Sequence, residues 1–313
     1  MKIHRALEQL PQIKNAVITI GSFDGVHIGH QQIINRINEI AQAIDGESVL
    51  ITFHPHPRIA LKPENNSLRL ITTLNEKAEV LRAYGVDHLV VVPFTKEFAS
   101  QSPDEYIQNF LVKHFQPKRI VIGYDHKYGK NRVGDIIYLK NFETKYGYEV
   151  TEISPQEVED IAVSSTKVRN ALQQGEVARA AKLLGHSFVL IGKVVKGLQL
   201  GSQLGYPTAN IKVAEPYKLI PPQGIYAVQV EYDSKVYNGM LYIGDRPTLE
   251  KELAQTIEVN IFDFDTNIYE ELLKITFIKH IREDQKFDSL EDLKTQLGAD
   301  KEAALNILPQ IAR

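Results

Sequence analysis

The sequence predicts an α/β protein in two parts. An N-terminal parallel β-sheet with helices on both faces comes first, and a C-terminal antiparallel β-barrel with closing helices follows. Two observations lead there. Up to about residue 153, short apolar runs alternate with helical patterns, as in parallel sheets covered on both sides. From about residue 187, β-rich runs follow one another with Gly, Pro, Asp and Asn between them, the texture of a small barrel. A chain of 313 residues suffices for two domains of ~100–200 residues each. The expected boundary gives domains 1–184 and 185–313.

The elements follow in order. Strands are expected at 16–21, 48–53, 88–93, 118–123 and 148–153, and helices at 30–44, 75–84, 103–114 and 134–146. Ser164-Ser165-Thr166 leading into Val168, Leu172 and Val177 reads as an N-cap and helix start. Gly175 separates two short helices, the second ending near Gly185. Barrel strands are expected at 187–196, 224–232, 235–243, 255–262 and 272–281. Two closing helices are expected at 288–298 and 301–311, with Asp288 or Ser289 as a cap.

Composition excludes several classes. Hydrophobic content of 43% and charge of 24% are those of a soluble globular protein. No apolar run reaches the ~18 residues of a membrane span, and residues 1–15 lack the apolar core of a signal peptide. With zero cysteines there are no disulfides, thiolate metal sites or cysteine nucleophiles, which agrees with a cytoplasmic protein. A net charge of −3 gives no global attraction to nucleic acid or acidic membranes. Small-molecule partners are therefore expected, with no nucleic acid, no membrane and no obligatory protein partner.

The most informative stretch is Ile20-Gly21-Ser22-Phe23-Asp24-Gly25-Val26-His27-Ile28-Gly29-His30. An apolar run enters it and a helical pattern leaves it, so His27 and His30 fall where a strand turns into a helix. Gly21, Gly25 and Gly29 let the backbone turn and approach a ligand. The helix start behind them carries partial positive charge and free N–H groups. Two imidazoles there suit a nucleoside triphosphate held without a Walker lysine.

The stretch resembles the His-x-Gly-His signature of the nucleotidyltransferase superfamily. Its Gly-Ser-Phe-Asp-Gly-Val-His form resembles bacterial bifunctional riboflavin kinase/FAD synthetase. Three further segments of the first half resemble that family in order: Phe53-His54-Pro55-His56-Pro57-Arg58, Ile122-Gly123-Tyr124-Asp125-His126-Lys127-Tyr128 and Ser164-Ser165-Thr166-Lys167-Val168-Arg169. Alone, the Ser-Ser-Thr run has a plainer reading as a helix cap and the histidine pair as surface or packing; His-Pro-His-Pro suggests metal binding, but its intervening prolines disfavour a convergent pair. Their joint order and spacing favours the family. The resemblance implies a Rossmann-like nucleotidyltransferase domain in which FMN and ATP give FAD and pyrophosphate. His27 and His30 would touch the transition state. Gly21, Ser22, Phe23, Asp24, Gly25, Gly29, Ser164, Ser165 and Thr166 would hold phosphates, with Arg169 as a catalytic clamp suited by its planar fork. Phe53, Pro57, Arg58, Asp125 and Tyr128 would line the flavin site.

In the second half, Leu204-Gly205-Tyr206-Pro207-Thr208-Ala209-Asn210 resembles the riboflavin kinase signature. Thr208 and Asn210 alternate with Ala209, so on an extended backbone they share a face, and their neutral oxygens suit Mg²⁺ carried by ATP. Gly197, Gly201 and Gly205 would wrap the triphosphate. Glu258, opening Glu-Val-Asn-Ile, would be the general base for the riboflavin 5′-hydroxyl, which unlike FMN phosphate must lose a proton. Tyr242 stands where many relatives have asparagine. Arg282 and Phe287 would border the flavin. The resemblance implies that riboflavin becomes FMN in this domain and FMN becomes FAD in the other, with ATP and Mg²⁺ at both. Alternatives are one degenerate domain, a non-catalytic flavin-binding protein, or an aminoacyl-tRNA synthetase relative. Both motif sets stand complete, and no Lys-Met-Ser-Lys-Ser loop is present.

Overall fold

Six parallel strands form the first sheet: β1 (Lys2–His4), β2 (Val17–Ile20), β3 (Ser48–His54), β4 (His88–Pro93), β5 (Arg119–Gly123) and β6 (Glu149–Ile153). The structure, a computed structural model, describes residues 1–61, 67–123, 126–153, 163–197, 201, 204–247 and 253–310, except the side chains at 246–247 and 253–254. In space the strands run β1-β4-β3-β2-β5-β6, each neighbouring pair parallel. All four residues of β2 are buried, which is why this strand reads as an unbroken apolar run. The chain builds from β2 outward to one edge and returns to lay β5 on the other side of β2. Ligands of such sheets bind beyond the carboxyl ends of the strands at this switch point. The turn after β2 is the Gly21–His27 segment.

Two longer helices accompany this sheet: α1 (Ile28–Ala43) and α2 (Leu74–Ala83). Helix α1 buries Ile34, Ile37 and Ala41, the 3–4–7 spacing of one helix face. It starts two residues before the expected position because His27 is its N-cap. The expected helix 103–114 is opened by a Ser102–Glu105 capping box and is π-wound over Tyr106–Val112. The expected helix 134–146 is instead two short helices, Ile136–Lys140 and Glu143–Tyr146. The first begins where Asp135 Oδ1 accepts the Tyr138 N–H at 3.0 Å. Strand β1 at the sheet edge is announced by no pattern, since three residues are too few to show one.

The second sheet is a closed antiparallel barrel of β7 (Val189–Val195), β8 (Ala209–Lys212), β9 (Gly224–Tyr232), β10 (Lys235–Pro247), β11 (Leu253–Ile261) and β12 (Leu272–Arg282). Around the barrel the order is β10-β11-β8-β7-β12-β9. Helices α3 (Ser165–Gln173) and α4 (Val177–Leu184) precede it and α5 (Leu290–Ile307) follows. The two expected closing helices are this single helix α5, capped by Ser289. Two features carry the helix through Gly298. Ala304 and Leu308 pack with Ile225, Ala227, Met240 and Phe262 of the barrel, and Asp300 is buried in a two-point ion pair with Arg282 at 2.9 and 2.7 Å.

Backbone contacts divide the chain into one unit of Met1–Leu68 with Lys77–Ser164 and another of Arg69–Glu76 with Ser165–Arg313. Helices α3 and α4 thus group with the barrel, whereas the sequence reading put them in the first domain.

Candidate active sites

In the parallel-sheet unit, the turn after β2 is tight and strained. Gly25 has φ 85°, and two non-glycine residues, Phe23 and Val26, have φ 45° and 43°, values that L-residues adopt at a cost. The strain is held by bonds from behind. Thr52 Oγ1 donates to the Ser22 carbonyl at 3.2 Å, Lys77 Nζ donates to the same oxygen at 2.6 Å, and Gln31 Nε2 donates to Val26 O at 2.9 Å. A Cβ at Gly21 would sit 3.0 Å from the Phe23 ring, so only glycine leaves that ring in place.

His27 accepts the His30 N–H on Nδ1 at 3.3 Å. A neutral ring accepting there carries its proton on Nε2, which makes His27 a donor on its other edge. The rings of His27 and His30 stack with centroids 3.7 Å apart, and Phe23 lies 4.9 Å from His30. Burial, then neighbouring His27 and Lys77, hold His30 well below its ordinary pKa. Asp24 is fully buried in the same turn. The structure therefore brings together Gly21, Ser22, Phe23, Asp24, Gly25, His27, Gly29 and His30, around a helix start that favours anions.

Other expected residues of this half lie in different settings. Phe53 packs against Phe94 and Phe98 with centroids 5.2 and 5.5 Å away. Pro57 and Arg58 open a short helix, Pro57–Leu61. Tyr128, expected at the flavin, is a core residue: it is 5% exposed and stacks on Tyr106 at 4.8 Å. Asp125 lies outside the described residues. Ser164 is exposed just before α3, and Ser165 and Thr166 open that helix. Arg169, on α3, donates from Nε to Arg69 O at 2.9 Å.

In the barrel unit, register builds a row of polar side chains. Glu258 on β11 is directly opposite Asn210 on β8 and Tyr242 on β10, so all three share a face. Thr208 Oγ1 donates to Glu258 Oε2 at 2.9 Å. The glycine loop is close by, because a Cβ at Gly197 would meet the Asn210 amide at 2.0 Å and one at Gly201 would meet Thr208 Oγ1 at 3.3 Å. Gly205 has φ 83°. Asn210 also lines a cavity of about 680 Å³ with Arg69, Lys196, Lys212 and Glu215 among its walls. That concentration of cations, in a chain of net charge −3, suits a polyanion. Tyr242 donates to Asp284 at 3.2 Å, and burial first, then Asp284, pushes its phenol up to about 12.

Two family comparisons cover both units. The FAD synthetase family matches residues 9–167 and the riboflavin kinase family matches residues 184–308. The chain is 36% identical to the bifunctional riboflavin kinase/FMN adenylyltransferase of Listeria monocytogenes over 92% of this chain and 91% of that protein. It is also 36% identical to the enzyme of the same name from Pseudomonas fluorescens, over 97% of both chains. This chain belongs to the bifunctional riboflavin kinase/FMN adenylyltransferase family. Among solved structures it resembles that of a macrolide-efflux protein from Streptococcus pneumoniae, with a TM-score of 0.86 and 33% identity over 97% of this chain and 98% of that one. No helix among the described residues is long and apolar enough to cross a membrane.

Against that family, two residues carry weight that the motifs did not announce. Lys77 is 7% exposed on the face of α2 that also buries Leu81, and a lysine at an apolar helix position was its only sequence signal. Lys218 is buried against Glu76, a pairing across 142 positions with no local signal at all. Conversely, Arg282, expected at the flavin, spends its guanidinium on Asp300 and on the Glu283 carbonyl at 2.9 Å, with the Phe287 ring 5.8 Å away. Among the described residues no group of three His, Cys, Asp or Glu side chains is arranged to hold a metal ion. The oxygens of Thr208 and Asn210, beside one carboxylate, fit a hard cation that brings most of its ligands on a nucleotide.

Proposed function

We propose that the two units of this bifunctional enzyme act in series: the barrel phosphorylates riboflavin to FMN with ATP, and the parallel-sheet unit adenylylates FMN to FAD with a second ATP. The observation that carries the division of labour is the Thr208–Glu258 contact at 2.9 Å, with Asn210 opposite the carboxylate. A base is needed only where the nucleophile is an alcohol.

In the barrel, Glu258 takes the proton of the riboflavin 5′-hydroxyl as its oxygen attacks the γ-phosphorus of ATP, and ADP leaves. The basic cavity beside Asn210 receives the nucleotide, and Gly197, Gly201 and Gly205 cover its phosphates. Mg²⁺ held by Thr208 and Asn210 would supply charge neutralisation on the phosphate oxygens. In the other unit, an FMN phosphate oxygen attacks the α-phosphorus of ATP and pyrophosphate leaves. That nucleophile is already anionic, so the protein's task is alignment and charge stabilisation. His27, through Nε2–H, and His30 contact the triphosphate at the start of α1. The family resemblance adds Ser164, Ser165, Thr166 and Arg169 as phosphate ligands, and Phe53, Pro57 and Arg58 at the flavin. The reading requires small-molecule partners only and a cytoplasmic setting.

The test is chromatography of the purified protein incubated with riboflavin, ATP and Mg²⁺. FMN appearing first and FAD later supports two sites in series. FMN alone removes the adenylyl-transfer role from the His27/His30 turn. Neither product, with FMN plus ATP also inert and the protein folded, overturns the proposal.

A further inference from the structure

Among the described residues of the parallel-sheet unit, Lys77 is a buried lysine that the chemistry above does not use. It sits on α2, is 7% exposed, and burial lowers its ammonium to about 8, with Asp24 acting in the opposite direction. Taking an ammonium out of water is costly unless it is well bonded. Yet among the described residues its bonds are to two uncharged oxygens, Ser22 O at 2.6 Å and Thr52 Oγ1 at 3.4 Å. A fold that needed only to fill this space would do so better with methionine. The ammonium is therefore retained for what it does to the turn.

Its position shows what that is. The Ser22 carbonyl accepts from both Lys77 and Thr52, so it is drawn inward beneath the turn. The Ser22–Phe23 peptide is planar and trans, so its N–H points opposite to its carbonyl. Pulling the carbonyl in aims the Phe23 N–H away from Lys77. A peptide whose oxygen is bonded to a cation is also a stronger donor at nitrogen. Phe23 itself is held at φ 45°, a conformation that needs restraint, and its ring rests on His30.

We propose that Lys77 is a positioning residue for nucleotide phosphate: by holding the Ser22 carbonyl it fixes the strained Ser22–Phe23 peptide, so that the Phe23 amide and His30 face the triphosphate. It does from behind the backbone what a phosphate-loop lysine does by direct contact. The inference rests on the assignment of the His27–His30 turn to adenylyl transfer.

Lys77→Met is expected to raise the KM for ATP in FAD formation about tenfold, the worth of one hydrogen bond to a charged group, and to leave the KM for FMN within twofold. FMN formation from riboflavin by the same molecule stays unchanged and reports that the chain is folded. His30, relieved of a neighbouring cation, titrates at a higher pH by NMR, and an unchanged KM for FMN shows that the site has not simply loosened. Should Lys77→Met not fold, Thr52→Val, which removes the second donor to Ser22 O at nearly equal volume, is expected to raise the ATP KM in the same direction by a smaller factor. An unchanged ATP KM in whichever folded variant is obtained overturns the inference. His30→Ala assayed alongside separates the two ideas. Loss of FAD formation there with no effect of Lys77→Met or Thr52→Val sinks the Lys77 role alone, and full activity of His30→Ala sinks the site assignment beneath it.

Discussion

Thr208 Oγ1 donates to Glu258 Oε2 at 2.9 Å, joining a residue that enters β8 to one on β11. A hydroxyl has one proton and two lone pairs. With the proton committed to Glu258, the lone pairs are directed elsewhere, so one side chain both orients the base and offers oxygen to a cation.

Thr208→Val removes both functions at nearly equal volume, whereas Thr208→Ser keeps both. The valine variant should need at least tenfold more Mg²⁺ for half-maximal FMN formation and have a lower kcat, and the serine variant should track the wild type. Initial rates against Mg²⁺ at fixed ATP decide this. Equal Mg²⁺ dependence for valine and wild type would remove Thr208 from the metal.

Glu258→Gln keeps shape and hydrogen bonding but cannot take a proton. General-base catalysis contributes about 10²–10⁴-fold, so FMN formation should fall by that order while FAD formation from supplied FMN persists. A glutamine variant with normal FMN formation would show that the 5′-hydroxyl loses its proton to something else.

These sites were legible to unequal degrees, for physical reasons. Strands such as Ser48–His54 and Gly224–Tyr232 were readable because their patterns are local. The Gly21–His30 turn was readable because a strained backbone and a capped helix start restrict residue types over a short stretch. What was not legible depends on distant partners. Gly298 reads locally as a break, and the helix runs through it because Asp300 pairs with the distant Arg282. The stacking of Tyr128 on Tyr106, 22 positions away, likewise has no local signal.

Glu76 and Lys218 are the extreme case, with side chains 2% and 0% exposed and 2.6 Å apart. Lys218 also donates to Ile71 O and Val189 O, each at 2.7 Å, and Glu76 accepts from Ile191 N at 3.0 Å and Thr73 N at 2.8 Å. Breaking a buried pair from one side costs about 3–5 kcal/mol, because the remaining charge loses its partner. Lys218→Met should therefore lower the melting temperature of the barrel unit sharply, and Glu76→Gln/Lys218→Met should recover part of the loss. Differential scanning calorimetry of the full chain tests this, and a melt of Lys218→Met indistinguishable from wild type would show that the pair contributes nothing.

His30 gives a pH dependence whose direction is fixed by its surroundings. Burial first, then His27 and Lys77, hold its imidazole well below the ordinary 6.5. Between 6.5 and the folded value, the unfolded chain binds more protons than the folded one. This residue's contribution to stability is therefore full above 6.5 and lost as the pH falls through that window. A triphosphate against the ring acts the other way, because a nearby anion favours imidazolium. Nucleotide binding at this site should then take up a proton, and ATP affinity should rise as the pH falls below the ordinary imidazole value of 6.5. Titration calorimetry in two buffers of different ionisation enthalpy measures the uptake. Subtracting the same experiment on His30→Asn cancels protonation of ATP itself and of the barrel site. Equal uptake by the two proteins would mean that the phosphates do not reach His30, and would leave its lowered pKa as a consequence of burial, His27 and Lys77 with no bearing on the nucleotide.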